Sequence, residues 1–190
     1  MSIKAIIFDC FGVLVEDSIN KFYSTYLFDK PEVVARIKEL DHLSTEGKIT
    51  FDELLTKISE LSGVDINEVK TFLELNPNNE VLLDFIKKDL KPHFKIGFLS
   101  NAADDWLDDL FTKDSQALFD DFVLSYQHGI RKPDTQIFQL SAERLRVPLE
   151  ECIFIDDIAE YCNGATAIGM KAIQYKSFEQ LKQEIDQILA

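Results

Sequence analysis

Five short segments of this chain are apolar almost without interruption: Lys4 to Asp9, Lys95 to Ser100, Asp121 to Tyr126, Cys152 to Asp157 and Lys171 to Tyr175. A strand with one wet face alternates apolar and polar residues, so unbroken runs rich in Ile, Val and Phe predict strands covered on both faces. Stretches with helical periodicity supply the cover, over Asn79 to Leu90, Asp134 to Leu145 and Ser177 to Leu189, with a further helix expected over Ala103 to Leu110. The class that follows is α/β, a parallel sheet of about five strands flanked by helices.

About eighty residues separate the first two strands, too many for one crossover, and they carry helical rather than alternating periodicity. They predict a small helical insert with helices over Asn20 to Phe28, Pro31 to Leu40, Thr50 to Leu61 and Asp65 to Leu73. Pro31 marks a helix start, and Thr50 with Glu53 reads as a capping box. The insert is assigned to residues 16–79 and the core to residues 1–15 and 80–190. Asn76-Pro77-Asn78-Asn79 is turn chemistry suited to a hinge back into the core.

Composition then excludes some partners. With 20 basic and 34 acidic residues the net charge is -14, which repels phosphate backbones and anionic lipid, so nucleic acid and membrane partners are not expected. No apolar run nears the roughly 18 residues that span a bilayer, and a cytoplasmic location is the expectation. Cys10, Cys152 and Cys162 lack CxxC spacing and predict neither a disulfide framework nor a zinc site. No pattern fixes an oligomeric state.

In an open parallel sheet, ligands bind beyond the carboxyl ends of the strands. There the first strand delivers Asp9, the second Ser100 and Asn101, the fourth Asp156 and Asp157, while the loop after the third carries Arg131 and Lys132. Each has a plain reading as a turn or cap residue when taken alone. Three carboxylates at one end of one sheet are different, because unit charges about 4 Å apart repel by about 4 kcal/mol at an effective dielectric near 20. A cation is expected among them, and a hard divalent ion such as Mg2+ suits oxygen ligands.

The order of these segments resembles the haloacid dehalogenase superfamily. The motifs are Phe8-Asp9-Cys10-Phe11-Gly12-Val13-Leu14, Leu99-Ser100-Asn101, Lys132-Pro133-Asp134 and Phe154-Ile155-Asp156-Asp157. The resemblance implies a Rossmann-like core with a small cap in the position of the insert, acting on a small phosphorylated substrate with Mg2+. It further implies that Asp9 is the covalent nucleophile, and that Asp9, Asp156, Asp157 and the backbone carbonyl of Phe11 hold the metal. Ser100 and Asn101 would bind the phosphoryl oxygens, helped by backbone N–H groups at the next helix start, and Lys132 would neutralise the charge that develops on them.

One position departs from the family pattern. Phosphatases that this chain resembles place a second Asp two residues after the nucleophile, as general acid and base, and here that position is Phe11. The loss is worth about 10² to 10⁴ in rate, so the resemblance points to a phosphatase of good leaving groups, among them sugar 1-phosphates. Glu16, Asp17 and His42 are candidates for supplying the proton, each with a solvated surface as the plainer reading. Two alternatives remain open: a hydrolytic 2-haloacid dehalogenase, which needs no such acid but leaves Asp156 and Asp157 uncompensated, and a catalytically weak binding or regulatory protein. Lys21, Tyr23, Tyr26 and Arg36 are possible substrate contacts from the insert, with helix packing the plainer reading.

Overall fold

In a computed structural model describing residues 2–74 and 76–189, five parallel strands lie in the order β3-β2-β1-β4-β5. They are β1 (Ala5–Phe8), β2 (Lys95–Ser100), β3 (Asp121–Leu124), β4 (Cys152–Asp156) and β5 (Lys171–Gln174). The alternation of side chains divides each strand between two apolar layers. Ile6, Phe8, Ile96, Phe98, Ile153 and Ile155 pack on one face, while Ala5, Ile7, Leu99, Val123, Cys152 and Phe154 pack on the other. Both faces are therefore dry, as the unbroken apolar runs require. β1 sits at the centre, paired on both sides, so Asp9 leaves the middle of the sheet edge.

The insert between β1 and β2 consists of α1 (Ser18–Tyr26), α2 (Pro31–Thr45), α3 (Phe51–Ser62) and α4 (Ile66–Leu73). These helices enclose their own small apolar cluster, built on Phe22, Leu27, Ile37, Leu54, Leu55, Ile58 and Val69. Thr50 and Glu53 form the expected reciprocal cap at the start of α3. At the root of the insert the chain is tied to itself: Glu16 N–H donates to Pro77 and Asn79 N–H to the Leu14 carbonyl. The Asn79 amide also donates to the Val13 carbonyl and to the Tyr175 hydroxyl.

The remaining helices cover the sheet: α5 (Glu80–Phe85), the short α6 (Leu107–Leu110) and α7 (Lys113–Gln116), then α8 (Thr135–Leu145), α9 (Ala159–Ala167) and α10 (Phe178–Leu189). Several details differ from the sequence reading. The helix expected over Ala103 to Leu110 is only α6, because the Asp104 side chain accepts from Asp105 N–H and the Asp105 side chain from Leu107 N–H, which offers the backbone a turn in place of a helix. The third strand stops at Leu124, since Ser125 turns the chain into a 3-10 segment over Ser125–Gln127. The helix expected through Leu90 is α only to Phe85 and continues as a π turn over Ile86–Leu90.

The last difference bears on function. α2 runs to Thr45, five residues past the expected end at Leu40, and so carries Asp41 toward the core. Helix α9 was not anticipated either, for it contains Gly164. A Cβ at that position would stand 2.8 Å from the Pro133 carbonyl, so glycine is what lets α9 close on the loop after Lys132.

Candidate active site

The carboxyl ends of β1, β2 and β4 meet the underside of the insert at a cavity of about 770 Å³. Its floor holds Asp9, Ser100, Asn101 and Lys132, and its roof holds Tyr23, Ile37, Asp41, Leu54, Leu55 and Ile58. Phe11 stands in the wall. Its ring packs edge-on against Trp106, with centroids 5.3 Å apart, and Trp106 packs in turn on Phe51 of α3 at 5.1 Å. The position where the family carries its acid is thus an aromatic contact running from core to insert.

Lys132 is fully buried. Its ammonium lies 2.6 Å from an Asp9 oxygen and 2.6 Å from an Asp156 oxygen, beneath the rings of Phe154 and Tyr161 at 5.4 and 5.2 Å. Burial alone would lower the Lys132 pKa, but Asp156 and Asp9 more than offset it and hold the ammonium charged. The other oxygen of Asp156 accepts from Ile158 N–H at 2.8 Å, so both are engaged. Asp157 is different: its Oδ1 is buried without a hydrogen-bond partner. Burial and then the charge of Asp156 push the Asp157 carboxyl up to about 6. Burial and Asp156 likewise push Asp9 up, while Lys132 pulls it back.

Three carboxylates and one ammonium leave the cluster short of positive charge. Oxygens of Asp9, Asp156 and Asp157 lie within 4.8 Å of one another, a spacing at which each pair repels by about 3 to 4 kcal/mol at an effective dielectric near 20. An all-oxygen set of this size, with one oxygen unspent, fits a hard divalent cation. Gly12 keeps that space open, because at its φ of +85° a Cβ would stand 2.6 Å from the Asp157 carboxyl.

Beside this cluster Ser100 is buried, and its hydroxyl has no partner. The side chain of Asn101 is otherwise occupied: its amide donates to the Lys132 carbonyl at 3.0 Å and its oxygen accepts from Lys132 N–H at 2.8 Å. Asn101 therefore orients the loop that presents Lys132, and only its backbone is left to meet an anion. The helix start expected after it is absent, since α6 begins at Leu107.

Of the proton donors considered from sequence, Glu16 is exposed and paired with Lys21, and both oxygens of Asp17 accept from Asn20 at the start of α1. His42 is exposed and does not line the cavity. Among the suggested insert contacts, Tyr23 lines the cavity, whereas the Tyr26 hydroxyl donates to Glu68 and Arg36 pairs with Glu39. The sequence reading missed Asp41 and Tyr161. The signal for Asp41 was present in the spacing Ile37, Asp41, Ser44, Thr45, which places a carboxylate on the buried stripe of α2. Tyr161 lies on α9, whose helical pattern Gly164 obscures.

A family model described as haloacid dehalogenase-like hydrolase matches residues 3–169. The D-ribitol-5-phosphate phosphatase of Bacteroides thetaiotaomicron is 27% identical over 208 residues, covering 98% of both chains. Drimenol cyclase drtB of Aspergillus calidoustus is 27% identical over 63% of this chain, which spans only 21% of that protein. A HAD family enzyme of Bacteroides thetaiotaomicron, solved in complex with magnesium and inorganic phosphate, shares the fold with a TM-score of 0.74 and 24% identity over 95% of this chain and 99% of that one.

Proposed function

The chain belongs to the haloacid dehalogenase-like hydrolases, and on that premise we propose that it is a magnesium-dependent phosphomonoesterase acting on a small phosphorylated metabolite through a phosphoryl group carried on Asp9. The observation that carries the proposal is the unpartnered Ser100 hydroxyl beside the Asp9 carboxylate and the Lys132 ammonium, at the floor of the cavity beneath the insert. A phosphoryl group placed there meets a nucleophile, a donor and a fixed positive charge. The phosphatase from Bacteroides thetaiotaomicron, similar along its full length, supports the choice of phosphate ester.

Asp9 Oδ attacks phosphorus as the P–O ester bond breaks, and the leaving oxygen departs as an alkoxide that takes its proton from solvent water; water then attacks the same phosphorus, loses a proton to solvent, and the Asp9–phosphorus bond breaks to free the Asp9 carboxylate and phosphate. Ser100 Oγ–H and the Asn101 backbone hold equatorial oxygens, and Lys132 pulls the Asp9 carboxyl back toward its ionised form while offsetting charge on the phosphoryl group. Asp9, Asp157 and the Phe11 carbonyl would hold Mg2+, with Asp156 directly or through water, and the bound ion supplies charge stabilisation to the phosphoryl oxygens. Phe11 excludes water from the leaving-group side but moves no proton, so esters with good leaving groups, sugar 1-phosphates among them, should turn over fastest. The insert is the cap over this site, and a volume of about 770 Å³ admits a five- or six-carbon phosphate.

The test is phosphate release from sugar 1-phosphates, sugar and polyol 5- and 6-phosphates, acyl phosphates and p-nitrophenyl phosphate, with Mg2+ or with chelator. Turnover that needs the metal and falls at least about 10³-fold in Asp9→Asn supports the reading. Silence with every ester, followed by halide release from 2-haloacids, overturns it.

A further inference from the structure

Opposite the phosphoryl floor, the roof of the cavity is apolar around one carboxylate. Ile37, Leu54, Leu55 and Ile58 form the wall, and Asp41 stands among them on the turn of α2 after Ile37. The other acids lining the cavity above the floor are accounted for. Asp52, Glu74, Asp104 and Asp109 are exposed, and Asp17 caps α1. Asp41 makes no hydrogen bond or ion pair through its carboxylate among the described residues. Arg131, from the loop that carries Lys132, faces it electrostatically, together with Asp17 and the hydroxyl of Tyr23. Burial pushes the Asp41 carboxyl up, Arg131 pulls it down and Asp17 adds to the rise, so that it titrates at about 6 and is ionised at neutral pH.

Arg131 keeps a donor to spare. Its Nε is buried without a partner, and its Nη2 donates to the Tyr161 hydroxyl at 3.3 Å. An acceptor from the insert and a donor from the core thus line the same cavity within electrostatic reach of one another. That pairing matches a hydroxyl group, which donates and accepts at once. It does not match a second anion, which Asp41 would repel, nor an alkyl chain, which would leave both groups buried and unpaired.

We propose that Asp41 and Arg131 form a subsite that reads the hydroxyls of the substrate's carbon chain, making the substrate a neutral polyol or sugar bearing a single phosphate. This rests on the phosphatase reading and gives it a substrate class. The insert contributes Asp41 and the core contributes Arg131, so the subsite is complete only when α2 is docked. Docking is held where Ser125 Oγ–H donates to the Thr45 carbonyl at the end of α2, the same hydroxyl accepting from Ala102 N–H.

The experiment compares ribitol 5-phosphate, pentyl phosphate and 5-phosphoribonate, which share a primary phosphate ester and differ in hydroxyls and charge. The wild-type protein should favour ribitol 5-phosphate in kcat/KM. Asp41→Ala should lower its preference for ribitol 5-phosphate over pentyl phosphate by about 10- to 100-fold, through KM. It should also narrow the discrimination against 5-phosphoribonate, and Asp41→Asn should recover part of the loss. Equal losses on ribitol 5-phosphate and pentyl phosphate, or a fall in kcat at constant KM, would overturn the subsite, the second by making Asp41 a proton carrier instead. A binding measurement separates this from the phosphatase reading. Calorimetry of ribitol 5-phosphate with Asp9→Asn protein should detect binding that weakens about 10- to 100-fold when Asp41→Ala is added. If no ester is hydrolysed yet this binding depends on Asp41, the phosphatase reading falls and the subsite stands; binding indifferent to Asp41 removes the subsite alone.

Discussion

The sheet edge and the insert are stabilised in opposite ways. At the edge, Lys132, Asp9 and Asp156 are buried charges whose partners are one another, so the geometry is specified by pairing and tolerates no missing member. The insert rests on a small apolar cluster and touches the core through a few ties: the Ser125 hydroxyl at Thr45, the Trp106 contact with Phe51, and the backbone bonds at its root. On the proposed function, chemistry would sit where removal of one atom is expensive, and selection where the packing is shallow and can be remodelled.

The largest effect expected from this contrast is at Lys132. Lys132→Met keeps the volume of the side chain and removes the charge between two buried carboxylates, which should cost about 3 to 5 kcal/mol of stability. For a chain of this size that lowers Tm by roughly 10 °C, read by calorimetry, and turnover should vanish with it. A Tm within about 2 °C of wild type would mean that the carboxylates neutralise themselves by taking up protons, and that the edge is less constrained than its geometry implies.

The second effect is pH-dependent. Asp157 and Asp41 both titrate at about 6 when folded, above the unfolded value of about 3.9. Between these values the folded chain keeps protons that the unfolded chain has lost, so stability falls as pH rises from about 4 to 6 and stays lost above. With screening at these partly exposed groups the loss should be about 1 to 2 kcal/mol each. Denaturant melts at pH 4.5 and 7 in chelator measure it. Mg2+ at about 100 times its Kd should restore about 2.7 kcal/mol at pH 7. Asp157→Asn should shrink both the loss and the recovery, and an unchanged Mg2+ response in that variant would remove Asp157 from the ligand set.

How much of this was legible in the sequence follows the same division. The strands announced themselves through unbroken apolar runs, and Asp9, Ser100, Asp156 and Asp157 through their place at strand ends, because a parallel sheet fixes where such residues must gather. What the sequence could not convey depended on contacts between distant segments. Lys132 looks like an exposed loop cation until Asn101 is seen to fold its backbone inward. Asn101 itself read as a phosphate ligand, though its side chain is consumed by that task. Asp41 lay one residue past the expected end of its helix, beside a His42 that attracted notice and does not line the cavity. Gly164 sits inside a helix because close packing against Pro133 requires it, a contact between segments distant in sequence.

A third test works on the joint between the two regions. Gly47, after α2, has a φ of +72°, and a Cβ there would stand 2.7 Å from the Tyr126 carbonyl of the core. Gly47→Ala should therefore lift the insert from the sheet edge at a cost of about 1 to 3 kcal/mol. KM for a phosphorylated substrate should rise several-fold, while hydrogen exchange in β1 and β4 stays at wild-type protection. Loss of protection in those strands would show that insert and edge open together.

The smallest effect is the most direct probe of whether the insert opens by itself. Thr50 caps α3 by accepting from Glu53 N–H at 3.2 Å, and the Glu53 carboxylate accepts from Thr50 N–H at 2.8 Å. Thr50→Ala breaks the first of these bonds, together with the one the Thr50 hydroxyl donates to the Glu53 carboxylate, leaves the second, and should cost about 1 kcal/mol. An insert that opens as its own cooperative unit would express that cost locally. Amides of Phe51–Ser62 would exchange about five-fold faster, and the slowest amides of β1, β2 and β4 would be unaffected. If the slowest strand amides accelerate by the same factor, the insert unfolds only when the sheet does. The shallow packing above the cavity would then be as tightly coupled to the core as the charges beneath it.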